Sequence, residues 1–335
     1  MIPYEVHDQN VRTLLAPIAA LLADPEVSEI MINGPSVIYA ERRGAIVRTA
    51  HTFESARALM AALRGVAQYV GRTVNEQQPI LEARLPDGSR LEAVLPPAAP
   101  DGPIVSIRRM LRSTVTLNDL VTKGSVSEAG RSVLETLVDK HSNVLIAGGT
   151  GSGKTSVLGA LCGLLPADER VVVIEDSREL SLQHDHVVQL EARPADARGH
   201  GEITVRQLFK ATLRLRPDRI VVGEIRGAEA LELIQAMTSG HGGCLSTVHA
   251  SSPLDALRRL ETLALMSDVQ LPLSALRSQV GSAIHAVVQT SRSPSGRRSI
   301  TEIAAIAPSE HGYATQTLYR EGATAASARL ARRAL

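Results

Sequence analysis

The residues with the clearest chemical capability form a glycine-rich run that follows the apolar stretch 143–147. The run Gly148-Gly149-Thr150-Gly151-Ser152-Gly153-Lys154-Thr155 has the spacing G-x-x-x-x-G-K-T. Glycines let successive backbone N–H groups converge on anionic oxygens, and the N-terminus of a following helix adds positive dipole. The run therefore predicts a phosphate-binding loop, in which Lys154 neutralises β- and γ-phosphates and the Thr155 hydroxyl contacts Mg²⁺.

The residues that this motif assigns to nucleotide binding form one continuous segment. They are Gly149, Thr150, Gly151, Ser152, Gly153, Lys154, Thr155 and Ser156. An accidental glycine-rich turn is the alternative interpretation. The apolar strand pattern before the run and the helical pattern after it argue against an accident.

Two acidic positions close apolar strands further along the chain. Glu175 and Asp176 follow the strand pattern at 171–174, and Glu224 follows the pattern at 220–222 after one glycine. A carboxylate at such a strand end can activate or orient the water that attacks a γ-phosphate, or hold Mg²⁺. A solvated strand-end charge is the alternative, and the phosphate loop favours the functional interpretation.

Two histidines and a cysteine lie close together between residues 240 and 250. His241 and Cys244 belong to a glycine-rich segment, and His249 ends the strand pattern at 245–248. Zinc is disfavoured because no second Cys/His pair with finger spacing completes four ligands. His249 is placed to sense a γ-phosphate, whereas His241 either relays that state or is satisfied by backbone carbonyls.

Composition bounds the class of protein. At 335 residues the chain exceeds the size at which single cores stop growing, about 250–300 residues. The balance of 36 basic and 35 acidic residues gives no general reason to expect nucleic-acid affinity. Cys162 and Cys244 are far apart, which indicates a reduced, cytoplasmic setting. No run approaches the roughly eighteen apolar residues of a membrane span, so we expect any membrane recruitment to depend on partners.

The pattern of predicted elements divides the chain. Residues 1–97 alternate helices with hairpins and predict a smaller α+β domain, and 98–115 predict a linker with a connecting strand. Residues 116–335 predict a C-terminal domain in which short β-branched strands alternate with helices. Such alternation indicates an α/β fold with a parallel twisted sheet, whose ligand lies beyond the carboxyl ends of the strands.

These motifs, in this order and spacing, resemble the four boxes of the type II/IV secretion ATPases. The phosphate loop resembles Walker A, residues 174–180 the Asp box, 213–226 Walker B and 238–250 the His box. Residues 23–34 and 85–90 further resemble the CpaF/TadA branch, which drives tight-adherence (Flp-type) pilus assembly. Conjugation ATPases and archaeal filament motors share the same boxes.

The resemblance implies a RecA-like P-loop NTPase domain, preceded by a PAS-like N-terminal domain, in a homohexameric ring that binds ATP and Mg²⁺ between the domains. By position, Glu175 is then the glutamate that polarises water, and Glu224 is the Walker B acid near Mg²⁺. His249 is the γ-phosphate sensor. Thr155, Glu224 and Glu175 are the implied metal-contacting residues.

The same resemblance assigns arginines of the N-terminal domain to the phosphates. Arg108 and Arg109 lie where the family supplies them, from the same subunit or its neighbour, and an ordinary basic strand end is the alternative. Arg84 and Arg90 are weaker candidates. Arg226 is a candidate for phosphate or for an interface carboxylate.

We therefore predict a hexameric ATPase motor that acts on an inner-membrane platform and assembles pilin-like substrates or secretes protein. A conjugative or type IV secretion ATPase is the main alternative. A RecA-like nucleic-acid motor is disfavoured by the near-zero net charge and the few aromatic residues. A small-molecule kinase and a nucleotide-gated scaffold are the remaining alternatives.

Overall fold

The chain forms two compact units. The computed structural model describes residues 11–42, 44–110, 115–195, 199–309 and 312–322. The first unit contains the described residues up to 110 together with 195 and 199–202, and the second contains the others. Both chain termini, Arg43 of the first predicted hairpin turn and part of the predicted linker lie outside the described residues. The boundaries predicted at 97 and 115 stay predictions.

An antiparallel sheet dominates the first unit. Its six strands lie in the order β3-β2-β1-β6-β5-β4. The strands are β1 (Val27–Asn33), β2 (Ile38–Arg42), β3 (Ala45–Arg48), β4 (Ile80–Arg84), β5 (Arg90–Val94) and β6 (Ile104–Arg108). A 3₁₀ turn (Ala16–Ile18) and the helices α1 (Ala19–Ala23) and α2 (Ala56–Tyr69) share the apolar core with the buried face of this sheet.

Residues 104–108 take a different role from the predicted connecting strand. They form β6, which pairs with β1 on one side and β5 on the other, near the centre of the sheet. Val105 and Ile107 are buried whereas Ile104 and Arg108 are exposed. This alternation is the pattern of a strand with one face on a core, so β6 belongs to the first sheet.

The second unit is built on an eight-stranded sheet with helices on both faces. Its strands are β7 (Val144–Gly148), β8 (Val171–Glu175), β9 (Val187–Glu191), β10 (Arg219–Val222), β11 (Leu245–Val248), β12 (Ala286–Arg292), β13 (Arg298–Ser309) and β14 (Gly312–Arg320). Its helices are α3 (Leu117–Thr122), α4 (Glu128–Asp139), α5 (Lys154–Cys162), α6 (Val205–Thr212), α7 (Glu229–Thr238), α8 (Pro253–Ala264) and α9 (Leu273–Ala283).

The strand order of the second sheet is β14-β13-β12-β7-β11-β10-β8-β9. From β12 to β9 all neighbouring strands are parallel, which confirms the predicted α/β fold. The edge differs from the prediction, because β13 and β14 run antiparallel to their neighbours. The sheet is therefore mixed.

Burial explains why the central strands were recognisable. Every residue of β7 and β8 is buried, because α3, α4 and α5 pack on one face of the sheet and α6 to α9 on the other. Such strands form continuous apolar runs. The carboxyl ends of β7, β8, β10 and β11 lie at one edge of the sheet, which is where an open parallel sheet binds ligands.

Candidate functional site

The phosphate loop joins the end of β7 to the start of α5. Gly151 and Gly153 have φ of +69° and +98°, the left-handed region that favours glycine. A Cβ on Gly148 would lie 2.2 Å from Oγ1 of Thr290, so this position also excludes a side chain. Thr155 and Ser156 are half-buried in the first turn of α5, whereas Gly149 and Thr150 are exposed. The loop thus has the backbone geometry of an anion-binding turn at a helix N-terminus.

A threonine from β12 anchors the loop from below. The hydroxyl oxygens of Thr290 and Ser152 are 2.8 Å apart, and Thr290 also donates to the carbonyl of Ala147 at 3.0 Å. The Ser152 hydroxyl contacts the carbonyl of Gly149 at 2.8 Å. Ser152 and Thr290 are both buried. Sequence analysis did not identify Thr290, since nothing in its local pattern marks a loop 138 residues away.

Lys154 is turned inward along the loop. Its ammonium group donates to the carbonyls of Gly148 and Gly149 at 3.2 and 3.1 Å, and the residue is 7% exposed. The same nitrogen lies 3.5 Å from Nδ1 and 3.3 Å from Nε2 of His249. Lys154, which the motif assigns to the phosphates, therefore contacts His249, the residue that follows β11.

Glu224 completes a cluster of three predicted residues. Its Oε1 lies 3.3 Å from Nε2 of His249. Its two oxygens accept hydrogen bonds from Arg226 at 2.8 and 3.2 Å. Burial alone would raise the pKa of Glu224, but the Arg226 hydrogen bonds and the positive charges of Arg226 and Lys154 outweigh it, so the pKa lies below its ordinary value. Glu224 is therefore a carboxylate at neutral pH.

The environment keeps the His249 imidazole neutral. Burial and the adjacent Lys154 ammonium lower its pKa, and the opposing effect of Glu224 is smaller. A neutral ring has one N–H donor and one acceptor nitrogen. With the proton on Nε2, the ring donates to Glu224 and leaves Nδ1 to accept from Lys154. Nε2 itself lies 3.3 Å from both Oε1 of Glu224 and the Lys154 nitrogen.

Glu175 lies at the end of β8 but faces away from solvent. It is 4% exposed, and its Oε1 accepts the backbone N–H groups of Glu179 and Leu180 at 2.9 and 3.0 Å. Burial raises its pKa to about 7, although those two hydrogen bonds lower it. In this conformation Glu175 holds the turn at 176–180 in place and is almost entirely shielded from solvent.

Glu179 is a half-buried acid in the same turn that sequence analysis did not single out. Its charge acts on both Glu175 and Arg226. Nη1 of Arg226 also lies 3.7 Å from Oδ2 of Asp176. The second glutamate of 174–180 is therefore electrostatically connected to the Glu224 cluster, and spacing alone could have identified it.

The oxygen donors at the loop fit a magnesium ion better than a protein-only metal cage. No group of three or more His, Cys, Asp and Glu side chains that could hold a metal ion occurs among the residues the structure describes. Mg²⁺ commonly takes one or two protein oxygens and completes its shell with phosphate oxygens and water. The Thr155 hydroxyl and the ionised Glu224 match that chemistry. Glu175, which already accepts two N–H groups, matches it less well.

The predicted arginines of the first unit fall into two environments. Arg84, Arg90 and Arg108 are successive cross-strand partners on β4, β5 and β6 and form one basic row. Arg109 instead donates to the backbone carbonyls of Leu21, at 3.4 Å, and Asp24. Arg108 is exposed whereas Arg109 is half-buried. Of the two main candidates, Arg108 is the one whose side chain is presented to solvent.

The overall fold resembles that of known ATPases. The structure of the Legionella pneumophila ATPase DotB superimposes with a TM-score of 0.59, at 19% identity, over 96% of this chain and 86% of that one. At this identity the likeness concerns the fold alone. Within the described part of this chain, no helix has the length and apolarity that crossing a bilayer requires.

The chain is also similar in sequence to two conjugal transfer proteins. A putative conjugal transfer protein of Mycobacterium tuberculosis is 36% identical over 296 residues, 87% of this chain and 84% of that protein. Conjugal transfer protein TrbB of Rhizobium radiobacter is 35% identical over 281 residues, 83% of each chain. The family model described as type II/IV secretion system protein matches residues 12–332. Nearly the whole chain is included in that match, and the protein belongs to the type II/IV secretion system protein family.

Proposed function

We propose that this protein is an ATPase that supplies mechanical work to a secretion machine. The observation that carries the proposal is that Lys154, His249 and Glu224 meet at the phosphate loop. The Lys154 nitrogen lies within 3.5 Å of both ring nitrogens of His249, and Nε2 of His249 lies 3.3 Å from Oε1 of Glu224. A basic residue for the phosphates, a strand-end acid and a neutral imidazole are the groups that phosphoryl transfer to water uses.

The residues divide the work according to their environments. The N–H groups of the loop and Lys154 bind the phosphates, and ATP competes with the Gly148 and Gly149 carbonyls for the ammonium group. His249 then loses its contact with Lys154 and is free to reorient toward the γ-phosphate. Mg²⁺, when bound by Thr155 and Glu224, would neutralise charge on the phosphate oxygens.

The water-activating carboxylate is assigned to Glu179. Sequence resemblance assigns this role to Glu175, but Glu175 is buried and occupied by two backbone N–H groups. Glu179 is half-buried, and its charge helps to raise the pKa of Arg226. We therefore assign Glu175 to positioning the turn, and Arg108 to stabilising the transferred phosphoryl group.

A conjugative or type IV secretion machine is the favoured setting. The similar proteins of M. tuberculosis and R. radiobacter carry conjugal-transfer names, and each match covers more than four fifths of both chains. The tight-adherence pilus is the second candidate, favoured by the resemblance of residues 23–34 and 85–90. In both settings the motor works as a homohexamer recruited by partners at the inner membrane.

The first experiment combines particle mass with phosphate release on one sample. Light scattering with a non-hydrolysable ATP analogue and Mg²⁺ is expected to give a six-subunit mass, and ATP is expected to release inorganic phosphate. Lys154→Ala should abolish phosphate release, whereas Arg297→Gln, a control whose side chain contacts Glu321, should not. An active monomer that phosphorylates an added metabolite would overturn the proposal.

The choice of machine needs a cellular measurement. In the native host, deletion of this gene followed by complementation with wild type or Lys154→Ala would be scored for plasmid transfer and for surface filaments. Loss of transfer with normal filaments supports the conjugative assignment. Loss of filaments with normal transfer supports the tight-adherence pilus.

A further inference from the structure

Two arginines outside the four family boxes lie at the loop end of the β12–β13 hairpin. Arg292 is the last residue of β12 and Arg298 the first of β13, and their Cα atoms are cross-strand partners. Arg292 is half-buried and Arg298 is exposed. The pair places two positively charged side chains next to each other at this end of the hairpin.

Both side chains lie against the phosphate loop. A Cβ built on Gly151 would be 3.1 Å from Nη1 of Arg292, and one built on Gly153 would be 3.5 Å from Cδ of Arg298. A guanidinium nitrogen and an arginine stem therefore cover the two glycines whose positive φ shapes the loop. The hairpin is held there by Thr290, which shares β12 with Arg292.

Two neighbouring arginines, one in the loop of this hairpin and one on β14, contact carboxylates. Arg297 contacts Glu321 at 2.9 Å and also donates to the carbonyl of Gly124. Arg320 contacts Glu302 at 3.2 Å. Arg292 and Arg298 adjoin the phosphate loop.

The strand order fixes the side of the loop from which the two arginines act. β7 lies between β11 and β12. His249 and Glu224 follow β11 and β10, so the γ-phosphate end of a nucleotide belongs on that side. Arg292 and Arg298 flank the loop from the β12 side, which is where the adenosine end of the same nucleotide leaves the loop.

We propose that Arg292 and Arg298 form a second cationic wall of the nucleotide site, which binds the adenosine diphosphate portion through its phosphate nearest the ribose. The inference rests on the proposed function, because it concerns the same loop. A contact with this portion contributes the same binding free energy in bound ATP, in bound ADP and in the transition state of hydrolysis. Removing it raises KM and the Kd for ADP and leaves kcat unchanged.

The test is titration of a fluorescent ADP analogue, with unlabelled ADP as competitor, at one fixed ionic strength. Arg298→Gln is the primary variant because the Arg298 side chain is exposed. Arg292→Gln and the double variant follow, and Arg297→Gln is the matched control. Arg298→Gln and Arg292→Gln should each weaken ADP binding about tenfold, which is the cost of losing one charge-assisted hydrogen bond. Arg298→Lys should recover part of the affinity.

The outcomes separate this inference from the proposed function. Wild-type ADP affinity in both single variants and in the double variant overturns the inference, while binding that still requires Lys154 leaves the ATPase proposal intact. Absence of ADP and ATP binding by the wild-type protein overturns the proposed function itself. An equal loss in Arg297→Gln also overturns the inference, since it would reflect net charge alone. Lower kcat at saturating ATP with unchanged ADP affinity would contradict a ground-state contact.

Discussion

The carboxylate of Glu175 accepts the backbone N–H of Glu179 at 2.9 Å. The first acid of the Asp box therefore fixes the position of the second. The Oε1 atom of Glu175 is buried and already accepts two N–H groups, whereas Glu179, the acid that it positions, is half-buried. We therefore propose separate roles for these two glutamates, with Glu179 as the base.

Exchange of each glutamate for glutamine separates those roles. Glu175→Gln retains an amide oxygen that accepts both N–H groups, so we expect phosphate release within about fivefold of wild type. Glu179→Gln removes the proposed base and should lower kcat by about a hundredfold or more. Phosphate release at saturating ATP measures both effects, and ADP titration checks that binding persists.

Glu175→Ala is the companion variant. It removes the acceptor as well as the charge, so the turn loses its support and both thermal stability and kcat should fall. A hundredfold loss in Glu175→Gln, together with normal turnover in Glu179→Gln, would return the catalytic role to Glu175.

The hydroxyl of Thr290 should control nucleotide affinity without touching the nucleotide. Thr290→Val keeps the shape of the side chain but removes the hydroxyl that contacts the Ser152 hydroxyl and donates to the Ala147 carbonyl. We expect a loss of about 1–3 kcal/mol in stability, and a KM for ATP raised severalfold because the loop is less well fixed. Thr290→Ser keeps the hydroxyl and should recover most of both. An unchanged KM in Thr290→Val would show that the loop holds its shape without β12.

Local patterns were sufficient to predict the central part of the fold. The apolar runs of β7 and β8 and the glycine spacing between β7 and α5 are short-range signals, so both the α/β fold and the phosphate loop were predictable. The outer strands were not, because β14 exposes most of its residues and shows no regular alternation. β6 was assigned to the connection since its pairing with β1 is non-local.

The site was predictable only where a residue lies at a recognisable strand end. Glu224 and His249 each follow an apolar strand, and the structure brings them within 3.3 Å. Thr290 comes from β12, which pairs with β7, and Arg298 comes from β13, which pairs with β12. No local pattern reveals either pairing. The exposure of Glu175 was also unpredictable, because it depends on which way the turn after β8 folds.

A buried ion pair at the opposite edge of the sheet should affect stability alone. Arg219 is 1% exposed and contacts Glu169 at 2.6 Å, and a Cβ on Gly243 would clash with its guanidinium. Glu169→Gln leaves a buried charge without its partner, which costs about 3 kcal/mol and lowers Tm by roughly 6–12 °C. Glu135→Gln, from a half-buried surface pair with Arg131, is the control and should leave Tm nearly unchanged.

Activity per folded molecule is the second readout for Glu169→Gln. Arg219 begins β10, whereas Glu224 follows its other end, so ATP hydrolysis at a temperature well below Tm should be unchanged. A selective loss of kcat would mean that this pair transmits strain through β10 to the site.

His285 should make the fold sensitive to acid. Its Nδ1 accepts the backbone N–H of Asn143 at 2.8 Å, and the Asn143 side chain joins β11 to the end of α9. Burial lowers the pKa of His285 below its ordinary value of 6.5. As pH falls below 6.5, the unfolded chain takes up the proton first, so stability is lost between pH 6.5 and the lower pKa of the folded state.

Substitution by asparagine isolates this contribution, because its Oδ1 can replace Nδ1 as the acceptor without titrating. Between pH 7.5 and 5.5 the Tm of His285→Asn should fall less than that of wild type. His249 also has a lowered pKa and contributes in the same direction, so His249→Asn measures its share. If His285→Asn loses as much Tm as wild type over this range while His249→Asn loses less, the acid sensitivity originates at the phosphate loop and not at the junction of β7 and β12.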